Sequence, residues 1–214
     1  MLCQEGGLSS VSRELVGRAR RQGVTIHTES EREMRRMSGV PGACELIALE
    51  GPGPETTLGE LMSREGLVLW LVGLRYPGNV GFILRSAEVA GASGVVMTSD
   101  WGDTRLEEAF RVGIRAHRFL PVVRSGIEAV IEAANEAGRP LVALETSGTR
   151  APWELDWTTP RLLAVGSEAS GLPATVLDSA AEVLRIPSEG FIPSYNVQAA
   201  VAMVLGERLR QLEG

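Results

Sequence analysis

Asn79 and Arg85, then Glu168, then Ser194 and Asn196 stand in three segments carrying polar residues that packing alone does not require. The first segment, Tyr76-Pro77-Gly78-Asn79-Val80-Gly81-Phe82-Ile83-Leu84-Arg85-Ser86-Ala87, leads from a strand into a helix. Asn79 suits a helix N-cap, where unpaired backbone N–H groups attract an anion, and Arg85 follows on the helix amid Ile83, Leu84 and Ala87. An N-cap with an ordinary surface Arg accounts for this segment equally well. In the second, Ala164-Val165-Gly166-Ser167-Glu168-Ala169-Ser170-Gly171-Leu172-Pro173, two glycines bracket one carboxylate just after an apolar strand. Backbone there can approach a ligand closely while Glu168 projects from the loop. A plain strand-to-helix turn explains the glycines but not the Glu, and the dinucleotide spacing GxGxxG is absent. The third, Ile186-Pro187-Ser188-Glu189-Gly190-Phe191-Ile192-Pro193-Ser194-Tyr195-Asn196-Val197, is stiffened by two prolines and delivers Ser194 and Asn196 to the start of a last helix. Either residue also serves as a simple cap.

The elements that must position these residues alternate. Apolar runs at 67–74, 94–99, 119–123, 141–145, 162–166 and 182–186 read as strands buried on both faces. Helices are predicted at 79–90, 105–116, 126–137, roughly 173–180 and about 196–212, with Gly91 and Gly138 as stops. The pattern implies an α/β fold, a mostly parallel sheet with helices on both faces. Each polar segment follows a strand, at the sheet edge where ligands bind in open parallel sheets. Before Leu67 the pattern changes. Val24 to Thr28 and Ala43 to Glu50 are β-like, and Ser30 to Glu33 is a capping box opening a helix that Gly39 closes. GPGPETT at 51–57 is a linker, and a second capping box, Thr57 to Glu60, begins a short helix ending near Gly66. The division expected is 1–52, a linker with short helix at 53–66, and 67–214.

Composition narrows the chemistry. With 214 residues and 44% hydrophobic content, the chain has room for one full α/β core and a smaller module. Its longest apolar run, Leu67 to Leu74, is too short for a membrane span, and the N-terminus lacks the pattern of a secretion signal, so a cytoplasmic location is expected. Cys3 and Cys44 lie far apart without neighbouring His, which argues against a zinc site and against a disulfide framework, and no metal is expected. All 21 basic side chains are Arg and none is Lys, which excludes Schiff-base cofactor chemistry and the Lys-dependent phosphate loop. The formal net charge of −6 opposes a nucleic-acid partner, but its distribution does not. Seven Arg (13, 18, 20, 21, 32, 35, 36) fall between Arg13 and Arg36, and Arg105, Arg111, Arg115, Arg118 and Arg124 accompany His117. A solvated helix face is the ordinary fate of such runs; together they leave an RNA surface open.

Jointly and in this order, the three segments resemble the motifs of the SpoU/TrmH branch of the SPOUT methyltransferases. Asn79-x-Gly81-x-x-x-Arg85 is similar to the first motif and Gly166-x-Glu168-x-x-Gly171 to the second. Ile186-Pro187-x-x-Gly190-x-x-x-Ser194-x-Asn196-Val197 is similar to the third, and the likeness covers about 67–212. Ser188, where an apolar residue is common, and Tyr195, where Leu is usual, depart from it. The resemblance implies a C-terminal trefoil knot, a homodimer packed across it, S-adenosylmethionine as cofactor, and rRNA or tRNA as substrate of ribose 2′-O-methylation. It places Arg85, Asn79, Glu168, Ser194 and Asn196 at catalytic and RNA-binding positions. Cofactor contacts fall on Leu144, Glu145 and Thr146, on Gly166, Ser167 and Gly171, and on Ile186, Ser194, Tyr195 and Asn196. Residues 1–52, through Met37-Ser38-Gly39-Val40 and Ala43 to Leu49, look like the latter half of the family's ribosomal-protein-L30-like RNA substrate module.

Methyl transfer to a hydroxyl needs in-line placement, which supplies roughly 7–11 kcal/mol in favourable cases, and removal of a proton. None of the three segments holds a His: His27 and His117 lie elsewhere. The family's account makes the counterpart of Arg85 the base, but a guanidinium with pKa above about 12 is a poor one. A phosphate clamp that also stabilises the developing alkoxide fits Arg85 better, with Glu168 orienting Arg85 or a ribose hydroxyl. Two rivals stand beside this expectation: a catalytically inactive RNA-binding relative, and a small-molecule α/β enzyme.

Overall fold

The computed structural model describes residues 1–48 and 54–214, and the chain forms two units, Met1–Pro52 and Gly53–Gly214. In the first, β1 (Leu2–Gln4) pairs in parallel with β2 (His27–Glu29) and antiparallel with β3 (Leu46–Ile47). Between β1 and β2 lies α1 (Ser10–Arg21), started by Ser9, whose hydroxyl accepts from the Ser12 N–H at 3.2 Å. It buries Ser12, Val16 and Ala19, spaced i, i+4, i+7, and leaves Arg13, Arg18, Arg20 and Arg21 exposed. Only these three positions face inward, which is why neither α1 nor β1 was legible in the sequence. The Ser30 hydroxyl opens α2 (Glu31–Ser38) by accepting from Glu33 N–H at 3.3 Å, while the Glu33 carboxylate turns to Arg36 at 3.6 Å. The two β-like runs are shorter than expected. β1 pairs only with His27–Glu29 and Leu46–Ile47, and the expected strand's last residues, 49 and 50, lie outside the described residues with linker positions 51–53.

In the second unit the Thr57–Glu60 capping box forms in both directions, at 2.8 and 3.3 Å, and starts α3 (Leu58–Met62). The helix stops at Met62, four residues before Gly66, and its cap Ser63 donates its hydroxyl back to the Gly59 carbonyl at 3.0 Å. Six strands follow: β4 (Leu67–Val72), β5 (Gly94–Thr98), β6 (Val122–Arg124), β7 (Leu141–Leu144), β8 (Arg161–Val165) and β9 (Glu182–Leu184). They form one sheet in the order β6-β5-β4-β8-β7-β9, with every neighbouring pair parallel. The helices between and after them are α4 (Pro77–Val89), α5 (Asp103–Val112), α6 (Ile127–Glu136), α7 (Ala174–Asp178) and α8 (Val197–Glu213).

β4 is buried at all six positions, as an apolar run without alternation must be, and its two faces feed two cores. Leu67, Leu69 and Leu71 pack with Ile83 and Leu84 of α4 and Val201, Val204 and Leu205 of α8. Val68, Trp70 and Val72 pack with Leu61 and Met62 of α3, Val130 and Ala134 of α6 and Val176 of α7. Helices therefore cover both faces, as the alternation of elements predicts. Gly39, Gly91 and Gly138 sit in the left-handed region just past the helices they close. The helix expected at 105–116 ends sooner, at Val112, because Ile114 and Arg115 turn to φ of 51° and 57° ahead of a 3₁₀ turn at Ala116–Arg118. The strand expected at 119–123 begins only at Val122, since Pro121 has no N–H to give a ladder. Among the described residues no helix is long and apolar enough to cross a membrane.

At the N-terminal edge of this sheet one buried cation gathers the chain. The Arg139 guanidinium, 4% exposed, donates to the carbonyls of Met62 at 2.8 Å, Gly66 at 2.7 Å, Arg161 at 3.0 Å and also Arg64. Burial pulls its pKa below the ordinary value, so the carbonyl dipoles are what keep the charge tolerable there. Arg139→Met should strand those carbonyls and lower unfolding free energy by about 2–4 kcal/mol, read as a fall in urea midpoint without a change in slope.

Candidate active site

The chain enters the sheet at its middle. From β4 it winds outward through β5 to β6, then returns to place β8 against the other side of β4. Loops at the C-terminal ends of β4 and β8 therefore diverge from neighbouring strands, the place where open parallel sheets leave a crevice. The segment after β4 opens α4 with Pro77 at its first turn and Tyr76 at the cap. Asn79 is thus three residues inside the cap position, contrary to expectation, because Pro77 with its fixed φ starts the helix earlier. That frees the Asn79 amide for other partners. Its Nδ2 donates to the Glu168 carboxylate, and its Oδ1 accepts from Asn196 Nδ2 at 3.2 Å. Asn196 in turn caps α8, its Oδ1 accepting from Gln198 N–H at 2.9 Å. One polar chain thereby ties the starts of α4 and α8 to the loop after β8.

Arg85 sits on α4 about 9 Å of helix rise beyond Asn79. It is exposed and makes no hydrogen bond or ion pair among the described residues. The glycine between these two positions in the motif does structural work: a Cβ on Gly81 would come within 2.5 Å of the Ala109 carbonyl, so α4 and α5 pack backbone to backbone there.

Beside the polar chain lies a cleft of about 550 Å³. Its walls are Leu144, Glu145 and Thr146 from the end of β7, with Gly166, Ser167, Glu168 and Gly171 from the loop after β8. Ile186, Ser194 and Tyr195 close it from the loop after β9. Nine of the ten residues expected at the cofactor therefore share one cavity; Asn196 is not on its lining but is bonded to Asn79. Of the expected catalytic set, Glu168 and Ser194 line the cleft, Asn79 and Asn196 join it through Glu168, and Arg85 stands apart on α4. Sequence reasoning missed Arg185, the cation on the lining, whose only signal was its place at the end of β9 before Ile186-Pro187. Among the described residues no cluster of His, Cys, Asp or Glu is arranged to hold a metal ion.

The second motif's glycines serve the loop itself before any ligand. Gly171 N–H donates to the Ser167 carbonyl at 2.9 Å, and the two serine hydroxyls, Ser167 and Ser170, meet at 2.8 Å. This folds the turn so tightly that a Cβ on Gly166 would overlap the Gly171 carbonyl carbon, while Gly171 holds φ at 64°. The loop after β9 is pulled in by the Tyr195 hydroxyl, which donates to the Pro187 carbonyl at 3.4 Å. Tyr195 is thereby tethered across the loop.

The family model described as SpoU rRNA Methylase family matches residues 66–206. The chain belongs to the SpoU methylase family. A tRNA/rRNA methyltransferase of Synechocystis sp., itself uncharacterised, is 31% identical over 161 residues, 75% of this chain and 56% of that protein. A counterpart in Mycolicibacterium gilvum is 29% identical over 92% of this chain and 65% of its own length, so the SpoU chain spans less than two thirds of either relative. A 23S rRNA (guanosine-2′-O-)-methyltransferase of Pseudomonas syringae pv. tomato is 30% identical over 203 residues, 92% of this chain and 81% of that one. Among solved structures, the SpoU methyltransferase AviRb from Streptomyces viridochromogenes superposes with a TM-score of 0.68 at 26% identity, covering 100% of this chain and 82% of its own. The AdoMet-bound rRNA methyltransferase from Sinorhizobium meliloti shares the fold, with a TM-score of 0.70 at 24% identity over 94% and 77% of the two chains.

Gly166→Ala should cost about 1–3 kcal/mol or more, because the obstacle is backbone and not the tip of a side chain. Gly190→Ala, with nothing within 4 Å of its added Cβ, is the matched control and should leave the melting temperature unchanged.

Proposed function

We propose that this SpoU chain is an S-adenosylmethionine-dependent RNA methyltransferase that modifies a ribose 2′-hydroxyl of rRNA or tRNA in the cytoplasm. The observation that carries the proposal is the Glu168–Asn79–Asn196 chain of hydrogen bonds, which assembles all three motif segments at the mouth of one cleft. Support for the reaction comes from the Pseudomonas relative, whose name specifies guanosine 2′-O-methylation. The cleft's volume lies within the range of about 300–1,000 Å³ usual for cofactor sites, and its wall mixes apolar residues such as Leu144, Val165 and Ile186 with polar ones such as Thr146 and Ser194. The Streptomyces viridochromogenes enzyme has been crystallised in complex with AdoMet. When bound, S-adenosylmethionine supplies an electrophilic methyl group on a sulfonium.

The chain's own residues have to position and polarise the hydroxyl. Arg85, exposed and without a protein partner among the described residues, is available to a phosphate beside the target ribose. Each charge-assisted bond it makes there is worth about 1.5–3 kcal/mol. Glu168 receives Asn79 on one oxygen and keeps the other for Arg85 or a ribose hydroxyl, while Ser194, on the cleft wall, aligns the nucleophile. The trefoil knot and a homodimer through it belong to the same proposal. The knot rests on the resemblance of the three segments; where it would lie, Glu145 N–H donates to the Leu184 carbonyl at 2.9 Å and Arg185 N–H to the Arg150 carbonyl at 2.8 Å, continuing the pairing of β7 with β9.

Met1–Pro52 serves in this proposal as an L30-like RNA-binding module. Arg18, Arg20 and Arg21 on α1 are exposed and unpaired among the described residues, with the Arg21 guanidinium lying across Gly17. Planar forks suit such phosphates bidentately.

Incubation with methyl-labelled S-adenosylmethionine and total RNA should yield label at alkali-resistant linkages, the mark of a 2′-O-methyl group. Label on a base, or none, overturns the reaction. Arg85→Ala should lower kcat by about 10²–10³ with donor affinity unchanged, as loss of a preorganised transition-state interaction does. Arg18→Glu with Arg21→Glu should weaken RNA binding and flatten its logarithmic salt dependence by about 0.7–0.9 for each phosphate no longer neutralised, again sparing the donor.

A further inference from the structure

Glu145 lines the cleft, yet the protein itself occupies its carboxylate. Oε2 accepts from the backbone N–H of Leu172 at 3.0 Å, and Oε1 from the N–H and hydroxyl of Thr146 at 2.8 and 3.2 Å. Three donors thus fill three of the roughly four acceptor sites a carboxylate offers. The side chain crosses from the loop after β7 to the loop after the neighbouring strand β8, both of which line the cleft. Gly171 makes the crossing feasible, since a Cβ there would lie 2.5 Å from Oε2 and push the carboxylate off its partner. Leu172 is 5% exposed, so water does not readily replace Glu145 as acceptor for its N–H.

We propose that Glu145, which the resemblance places among the cofactor contacts, is instead a positioning residue whose carboxylate ties the Gly166–Leu172 wall of the cleft in its donor-binding shape and does not touch the donor; this rests on the donor-binding function proposed above. A tie of this kind acts on affinity for the donor: Glu168 lies in the same wall but is held independently by Asn79, and at saturating donor the bound molecule restores the wall before the chemical step. It also predicts graded loss. Glu145→Gln retains an oxygen for Leu172 but presents an NH₂ group to the Thr146 N–H, whereas Glu145→Ala removes every bond.

Hydrogen exchange at the Leu172 amide in donor-free protein, together with calorimetry using S-adenosylmethionine, tests this. Exchange should quicken roughly tenfold or more in Glu145→Ala and by less in Glu145→Gln, with donor Kd rising in the same order. Under turnover the donor KM should rise while kcat at saturating donor stays within about twofold of wild type. If Glu145→Gln weakens the donor as much as Glu145→Ala while Leu172 stays protected, the carboxylate touches the donor directly and the tie is overturned. Unchanged Leu172 exchange in Glu145→Ala overturns it equally. Should Glu145→Ala fail to fold, Glu145→Gln decides alone: faster exchange with raised Kd supports the tie, and raised Kd without faster exchange sinks it. A wild-type protein that does not bind S-adenosylmethionine removes the donor function, and with it the wall's assigned role, whatever Leu172 does.

Discussion

The parallel pairing of β4 with β8 is the constraint on which the site depends. Some ninety residues separate the strands, yet Leu67 to Leu71 register against Arg161 to Val165. That register puts the end of β4, and so the start of α4, beside the turn that follows β8. Only then does Asn79 reach Glu168, and only with α8 folded back over the same face does Asn196 reach Asn79. The apolar cost of getting the register wrong is steep, because β4 is buried on both faces and a one-residue slip exchanges its two cores. Polar alignment at the mouth of the cleft is thus inherited from apolar packing beneath it.

Alternation of apolar runs with amphipathic stretches made the α/β class and all six strands of the larger unit legible, since each run is short, continuous and bounded. The motif segments were legible as polar residues placed where packing gives them no task. What escaped has identifiable physical causes. Asn79 reads as a cap by residue type, but Pro77 pre-sets the first helical φ and takes the start of the helix upstream. Arg139 and Arg208 are buried cations that sequence pattern assigns to the surface, because nothing local announces carbonyls converging from distant segments. α1 was hidden by its own arginines, which leave three inward positions too small to register as a stripe. The glycines of the second motif were legible, but their first duty proved to be closing the turn on itself.

Charge follows the same division of labour. A chain of net charge −6 meets a polyanion only where its cations are concentrated and unspent. Much of the arginine here is spent: Arg150 on Glu182, Arg210 on Glu207, and Arg115 on Glu107. Glu207 is drawn down to a pKa of about 2 by Arg210 and Gln211, so that pair stays ionised throughout the physiological range. Arg85, Arg18, Arg20 and Arg21 are among the exposed arginines left unspent within the described residues.

The carbonyls around Arg139 come from residues 62 to 66 on one side and from Arg161 on the other. During synthesis the guanidinium emerges after the first group and before the last. A nascent chain therefore carries a cation one carbonyl short of its set until the β8 strand leaves the ribosome. Completion of the set is an event of vectorial synthesis, and it falls late, when the sheet's central strand acquires its second neighbour.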